Sequence, residues 1–340
     1  MHMVAFKICF GLILSFCVTS YLVPIFICIA HKCKILDCPD GLVKKHTLAT
    51  PYLGGAAVYL GFLVAMALVF PFSNTFFQFL MGSSILFYLG LLDDLIAFLP
   101  AQKFIGQCIA VLCFLKAGFY LKAHFFHNIW NIALSGLWML LVINAFNLID
   151  IMDGLATTVA LFVGVNFFII ALMLQNYTVA ILLSAIIGAL LAFLRFNKPR
   201  AAIYLGDAGS LFIGGFFSTI PFLLDWGIFH AYGFLLPIII LAIPLLEVAG
   251  LIFIRTAKGI PFFKASPDHF ALYLKAQGMK EYGILSLVSA FSLIILLVVI
   301  LFVQHYISFE LLLLAGALFL LGWIFCLIKG FFATSLPPIS

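Results

Sequence analysis

Charge is what this sequence has least of. Of its 340 residues 9% are Asp, Glu, Lys or Arg, against 66% in the hydrophobic set. A soluble domain carries roughly 25% charged residues. So few charges cannot cover a water-facing surface. That excludes a cytosolic globular protein, a disordered chain and a nucleic-acid binder. The apolar runs also lack the alternation of a membrane barrel. No internal repeat is visible. The first run is too long and uninterrupted for a cleaved signal peptide. The eight cysteines lie mostly inside apolar runs, where Cys behaves as a small hydrophobe. They suggest no disulfide framework. Cys33 and Cys38, at C-x4-C spacing, lack partners that would complete a metal site.

What is present is span-length hydrophobicity, with a mean hydropathy of +1.29. In lipid a helix satisfies its own backbone, so the expected fold is an all-α polytopic membrane bundle. A span needs about 20 apolar residues. Ten or eleven are expected, over 5–30, 51–71, 75–92, 104–122, 129–147, 155–175, 178–195, 209–224, 231–254, 284–304 and 308–328. Residues 1–340 read as a single integral-membrane domain, with 255–283 as a cytoplasmic substrate-side loop.

The sparse charges are not scattered. Fourteen of the seventeen basic residues fall in odd-numbered loops or the C-terminal tail; Lys7 and Lys122 lie opposite and Lys116 lies in a span. The positive-inside rule makes those loops cytoplasmic. The acids follow: only Asp225 and Glu310 lie outside, and Glu247 lies within a span. Polar groups from five loops thus meet at one membrane face. A pathway across the bilayer would need them at mid-depth.

Four strings carry most of the chemistry. GLLDDLIAFLP holds Asp93 and Asp94 at a span end. Adjacent carboxylates there suit Mg²⁺ or a base, or simply a solvated helix end paired with Lys103. Neighbours on a helix diverge by about 100°, so the two are expected to do different jobs. NAFNLIDIMDGLA holds Asn144, Asn147, Asp150 and Asp153. Two amides alone would serve as glue between helices; the added carboxylates point to a site. FNKPRAAIYLGDAGSL carries Asn197, then Asp207 between Gly206 and Gly209, followed by Ser210. Glycines let backbone approach a ligand, and a cation would reconcile Asp207 with a phosphate at the helix start. Asp207 or Ser210 as a helix cap is the plainer alternative. QKFIGQ holds Lys103, a compact phosphate partner or a snorkelling side chain. Two weaker signals remain. KKHTLATPYLGG contains Lys45 and Thr50, and the long loop after the ninth span contains His269.

Together the strings KxHxxxTPxLGG, GLLDD, QKxxGQ, NAxNLIDxxDGLA, FNxPxA and GDAGSL resemble the polyprenyl-phosphate N-acetylhexosamine-1-phosphate transferase family, from about residue 44 to 281. The resemblance implies an enzyme of a bacterial cytoplasmic membrane with a cytoplasmic active site. A polyprenyl (undecaprenyl) phosphate would attack the β-phosphorus of a UDP-N-acetylhexosamine. Sugar-1-phosphate would move to the lipid and UMP would leave. Mg²⁺, with Mn²⁺ as a substitute, would be the cofactor, held by Asp207 and Asn147. Asp93, Asp94, Asp207 and His269 would be catalytic. Lys45, Thr50, Lys103, Asp150, Asp153 and Asn197 would face substrate. Apolar span faces would allow a homodimer.

Two departures bear on substrate. The family's HxHH-like motif is reduced to His269. That favours the branch priming cell-envelope glycans such as O-antigen or teichoic acid over the muramoyl-pentapeptide branch. Ile151 stands where Gly usually follows the aspartate, and Ile does not readily take positive φ. Outside the enzyme class, a secondary transporter is the alternative. It calls for mid-span charges, broken helices and a repeat.

Overall fold

The computed structural model describes residues 2–37, 50–122, 127–261, 264 and 266–335. By contacts the chain divides into two compact units, Met1–Leu224 and Asp225–Ser340.

The first unit contains α1 (His2–Cys33), α2 (Gly54–Val69), α3 (Asn74–Ile96), α4 (Pro100–Lys116), α5 (Asn128–Ile149), α6 (Leu155–Met173), α7 (Tyr177–Asn197) and α8 (Gly206–Thr219). A two-residue antiparallel pair, β1 (Leu36–Asp37) with β2 (Thr50–Pro51), sets Asp37 opposite Thr50. α8 is the hub and packs against α2, α3, α5 and α6. Every residue from Ala208 to Thr219 is buried, as an all-round apolar helix requires. Phe212 and Phe216 interlock with Phe62, and Phe79 and Phe217 close on Phe216. Outward faces of the surrounding helices show Leu68, Leu112 and Leu137, each more than 60% exposed, as lipid-facing positions should be.

The second unit holds α9 (Leu236–Ile240), α10 (Ala242–Ala257), α11 (Phe270–Ala276), α12 (Glu281–Val303) and α13 (Phe309–Ser335). α11 packs on α12 and α13. The stretch 255–283 is therefore more than a loop, since its middle folds as α11.

Each expected span coincides with helix, but not each is a simple crossing. Among the described residues six helices are long and apolar enough to cross a membrane. The expected span 209–224 is α8 followed by a 3-10 turn over Ile220–Leu223. At 14 residues α8 alone is about 21 Å long, and the turn carries the helical stretch to roughly 29 Å, close to the thickness of a bilayer core. The expected span 231–254 is bent by 72° between Gly233–Ile240 and Ala242–Ala257. Pro244 accounts for the break: it has no N–H to give the Ile240 carbonyl, and in a continuous helix its ring would crowd that carbonyl.

Candidate active site

The site begins with close backbone packing. α3 crosses α8 at Gly90, where an added Cβ would lie 2.2 Å from the Asp207 carbonyl oxygen. Nothing larger than glycine permits that approach, and it brings the end of α3 to the start of α8. The loop before α8 is stitched to the start of α2. Tyr204 N–H donates to Pro51 O (2.8 Å), Gly54 N–H to Tyr204 O (3.0 Å) and Gly55 N–H to Leu205 O (2.8 Å). Gly206 has φ +71°, and a Cβ there would meet Asp94 Oδ2 at 2.6 Å.

The adjacent aspartates then diverge, as helical geometry demands. Asp94 turns to α8. Its Oδ1 accepts the Asp207 N–H at 2.9 Å and its Oδ2 accepts the Ala208 N–H at 3.2 Å. Those are orphan donors of a helix start, so Asp94 caps α8 from another helix. Asp93 turns to Lys103. Its Oδ2 lies 2.9 Å from Nζ, while its Oδ1 accepts the Phe98 N–H at 2.7 Å.

Lys103 is the centre of the site. Nζ also donates to Asn147 Oδ1 at 3.1 Å and is ion-paired to Asp207 Oδ2. Asn147 closes the ring, donating from Nδ2 to Asp207 Oδ1 (2.7 Å) and to Ser210 Oγ (3.0 Å). Four helices thus supply one cluster: α3, α4, α5 and α8. Oxygens of Asp93, Asp207 and Asn147 converge on a single cationic nitrogen, and Asp207 keeps 31% of its side chain exposed. Among the described residues no three His, Cys, Asp or Glu side chains form a metal group. Asp207 and Asn147 present hard oxygen donors side by side, where Lys103 Nζ now supplies the positive charge. This suits Mg²⁺, which takes one or two carboxylates and completes its shell with phosphate oxygens and water.

The other expected site residues have separate surroundings. Asp153 Oδ2 accepts the Ala201 N–H at 2.9 Å. Asn197 is 3% exposed and faces inward. Its Oδ1 accepts from Thr157 Oγ1 (2.8 Å) and Gly154 N–H (3.2 Å), and its Nδ2 donates to Ile203 O (3.0 Å). Asn197 therefore braces two backbone segments, a different job from the substrate contact expected of it. Asp150 follows α5. Burial and the carboxylates of Asp207, Asp94 and Asp153 hold its carboxyl well above the usual range. The left-handed residue of this turn is Gly154 (φ +74°), so Ile151 is not required to adopt positive φ. Thr50 is buried in β2, and Lys45 lies outside the described residues.

The second unit has its own polar network. His269 is 5% exposed and its Nδ1 lies 2.8 Å from Glu247 Oε1. Glu247, expected as a mid-span acid, thus has a partner. Asp268 accepts from Lys258 Nζ (2.5 Å) and Tyr273 Oη (2.7 Å). Burial pushes the Asp268 carboxyl up, but these bonds outweigh it and hold it below the usual carboxylate range.

Two further residues take part. Ser210, a helix-cap candidate by sequence, accepts from Asn147, and Gln107 is buried against Asn144. Its signal was its place four residues after Lys103, on the same helix face.

The chain matches the family model for glycosyl transferase family 4 over residues 76–225, which spans every member of the Lys103 cluster. It is 30% identical to a phospho-N-acetylmuramoyl-pentapeptide-transferase of Clostridium beijerinckii, over 86% of this chain and 95% of that protein. It is 27% identical to a protein of Bacillus subtilis named "Probable undecaprenyl-phosphate N-acetylglucosaminyl 1-phosphate transferase", over 81% of this chain and 79% of that one. A Staphylococcus carnosus phospho-N-acetylmuramoyl-pentapeptide-transferase is 29% identical over 81% of this chain. With its cluster inside the matched region and a relative covered almost end to end, the chain belongs to glycosyl transferase family 4.

Proposed function

We propose that this multi-pass membrane protein transfers an N-acetylhexosamine-1-phosphate from a UDP-sugar to a polyprenyl phosphate, releasing UMP and starting a lipid-linked cell-envelope glycan. The observation that carries the reading is the convergence of Asp93, Asp207 and Asn147 on Lys103. It lies within a helical membrane bundle of a family whose relatives are named for this chemistry.

An oxygen of the polyprenyl phosphate attacks the β-phosphorus. The bond from that phosphorus to the bridging oxygen breaks, and UMP leaves with the oxygen. Lys103 is placed to hold phosphate oxygens, and its charge offsets that of the incoming anion. Asp93, fixed by Phe98 N–H, is placed to accept a proton from the acceptor phosphate. Asp94 keeps the start of α8 in register, and with it Asp207. Asp207 and Asn147 would hold Mg²⁺, which supplies charge neutralisation at the diphosphate. Asp150 and Asp153 border the nucleotide side. The site would face the cytoplasm, where the basic loops fall.

A second reading, phospho-N-acetylmuramoyl-pentapeptide transfer, has the support of relatives so named. Against it stands the reduced histidine motif, of which His269 alone remains. A panel of UDP-sugars with undecaprenyl phosphate and Mg²⁺ separates the two by UMP release. UMP from UDP-GlcNAc or a close relative supports the first reading. UMP from the UDP-muramoyl-pentapeptide alone supports the second.

A further inference from the structure

We infer that Gln107 and Asn144 form a register lock between α4 and α5 that positions Lys103 and Asn147, an inference resting on the transferase reading above. Gln107 is 1% exposed. Its Nε2 donates to Asn144 Oδ1 at 3.2 Å, and Asn144 Nδ2 donates back to Gln107 Oε1 at 2.8 Å. Asn144 Nδ2 also donates to Leu140 O at 2.8 Å. The two amides face each other and exchange hydrogen bonds.

Their place in the sequence gives the pair its consequence. Gln107 stands four residues after Lys103 on α4, and Asn144 three before Asn147 on α5. Both spacings keep the residues on one helix face. The amide pair thus sits one turn behind the Lys103–Asn147 hydrogen bond, which is 3.1 Å long. The rest of the α4 buried face, Ala110, Val111 and Phe114, is apolar and carries no directional preference. Apolar contacts tolerate a slide. A slide of one turn, about 5.4 Å, would bury a similar set of side chains and carry Lys103 away from Asn147 and Asp207. It would also leave two amides unpaired in a low-dielectric interior, which is costly. A buried polar pair that favours one register over others is an attested role for such residues. Neither amide contacts Asp93, Asp94 or Asp207 in the bonds described, so both act through their neighbours as positioning residues.

The test uses the full-length protein in detergent, made cysteine-free except for spin labels at Leu112→Cys and Leu137→Cys. These positions are 63% and 65% exposed on α4 and α5. Four forms are compared: the unaltered pair, Gln107→Leu/Asn144→Leu, the exchange Gln107→Asn/Asn144→Gln, and Gln107→Met. The inter-label distance and the UMP-release kinetics are measured on each. The lock predicts one narrow distance for the unaltered pair and a broadened or second distance for the double Leu form. It also predicts a kcat loss of about 100-fold in that form, the scale of a small misplacement at a reacting centre, with donor KM nearly unchanged. The exchange, which keeps both amides, should recover most of both signals. A double Leu form with one unchanged distance overturns the lock, whatever its kcat. If the double Leu form does not insert, Gln107→Met is read by the same criteria. If the unaltered protein releases no UMP from any donor, the functional reading fails while the distance measurement still decides the lock.

Discussion

Asp94 on α3 accepts the backbone N–H groups of Asp207 and Ala208 on α8, at 2.9 and 3.2 Å, across 113 residues of sequence. The carboxylate beside Asp93 is therefore a helix cap supplied from a different helix. It fixes the position of Asp207, whose own carboxylate is ion-paired to Lys103.

Asp94→Ala removes both bonds to the start of α8. Loss of a cap costs about 1–2 kcal/mol, so the thermal unfolding midpoint in detergent should fall. Asp94→Asn keeps one acceptor oxygen and should fall less. Equal midpoints for the alanine variant and wild type would remove the capping role.

Gly90→Ala puts a Cβ 2.2 Å from the Asp207 carbonyl oxygen, so α3 and α8 must separate. A displacement on the order of 1 Å at the site can cost about 100-fold in rate. Gly316→Ala is the control, because no heavy atom lies within 4 Å of its added Cβ. UMP release should fall sharply in the first variant and stay near wild type in the second.

Lys103→Met leaves Asp93 and Asp207 facing each other without their cation. Removing one partner of a largely buried ion pair costs roughly 3–5 kcal/mol, less here because Asp207 retains 31% exposure. Both stability and turnover should drop. Lys103→Arg keeps the charge but not the compact ammonium, so it should restore stability more than turnover. Unchanged kinetics in Lys103→Met would return Lys103 to an interfacial role.

Asp150 gives a pH signature. Its folded-state carboxyl is held well above the ordinary range by burial and by Asp207, Asp94 and Asp153. The unfolded chain ionises near the usual carboxylate value of about 3.9. Below that value the group costs nothing. As pH rises from there toward the folded-state value, the unfolded chain binds fewer protons than the native one and stability falls; above it the loss is constant. Asp150→Asn lacks this loss. The difference in unfolding midpoint between Asp150→Asn and wild type, in EDTA, should grow from acid toward neutral pH. A pH-independent difference would contradict the burial of that charge.

Much of this site was legible in the sequence, for a physical reason. Carboxylates and amides are expensive in lipid, so Asp93, Asp94, Asn147, Asp150, Asp153 and Asp207 could be placed together at one face before any fold was known. The divergence of Asp93 and Asp94 also followed from helix geometry. What was not legible depends on contacts between distant segments. Asn197 has the same composition signal whether it touches substrate or braces Gly154 and Ile203. Gln107 looks like a polar helix-surface residue until α5 is laid beside it. The helix α8 has the hydrophobicity of a lipid-facing span, yet protein surrounds it on every side from Ala208 to Thr219. The 72° bend needed Pro244 to be weighed against the continuous apolar run around it.

The most direct test of the whole account is UMP release by purified protein given undecaprenyl phosphate and a UDP-N-acetylhexosamine, with Mg²⁺ or with EDTA, for wild type and Asp207→Ala. The account predicts release that requires Mg²⁺ and falls by at least roughly 1,000-fold in the inserted, folded variant. Release that persists in EDTA, or an Asp207→Ala variant with wild-type turnover, would contradict it.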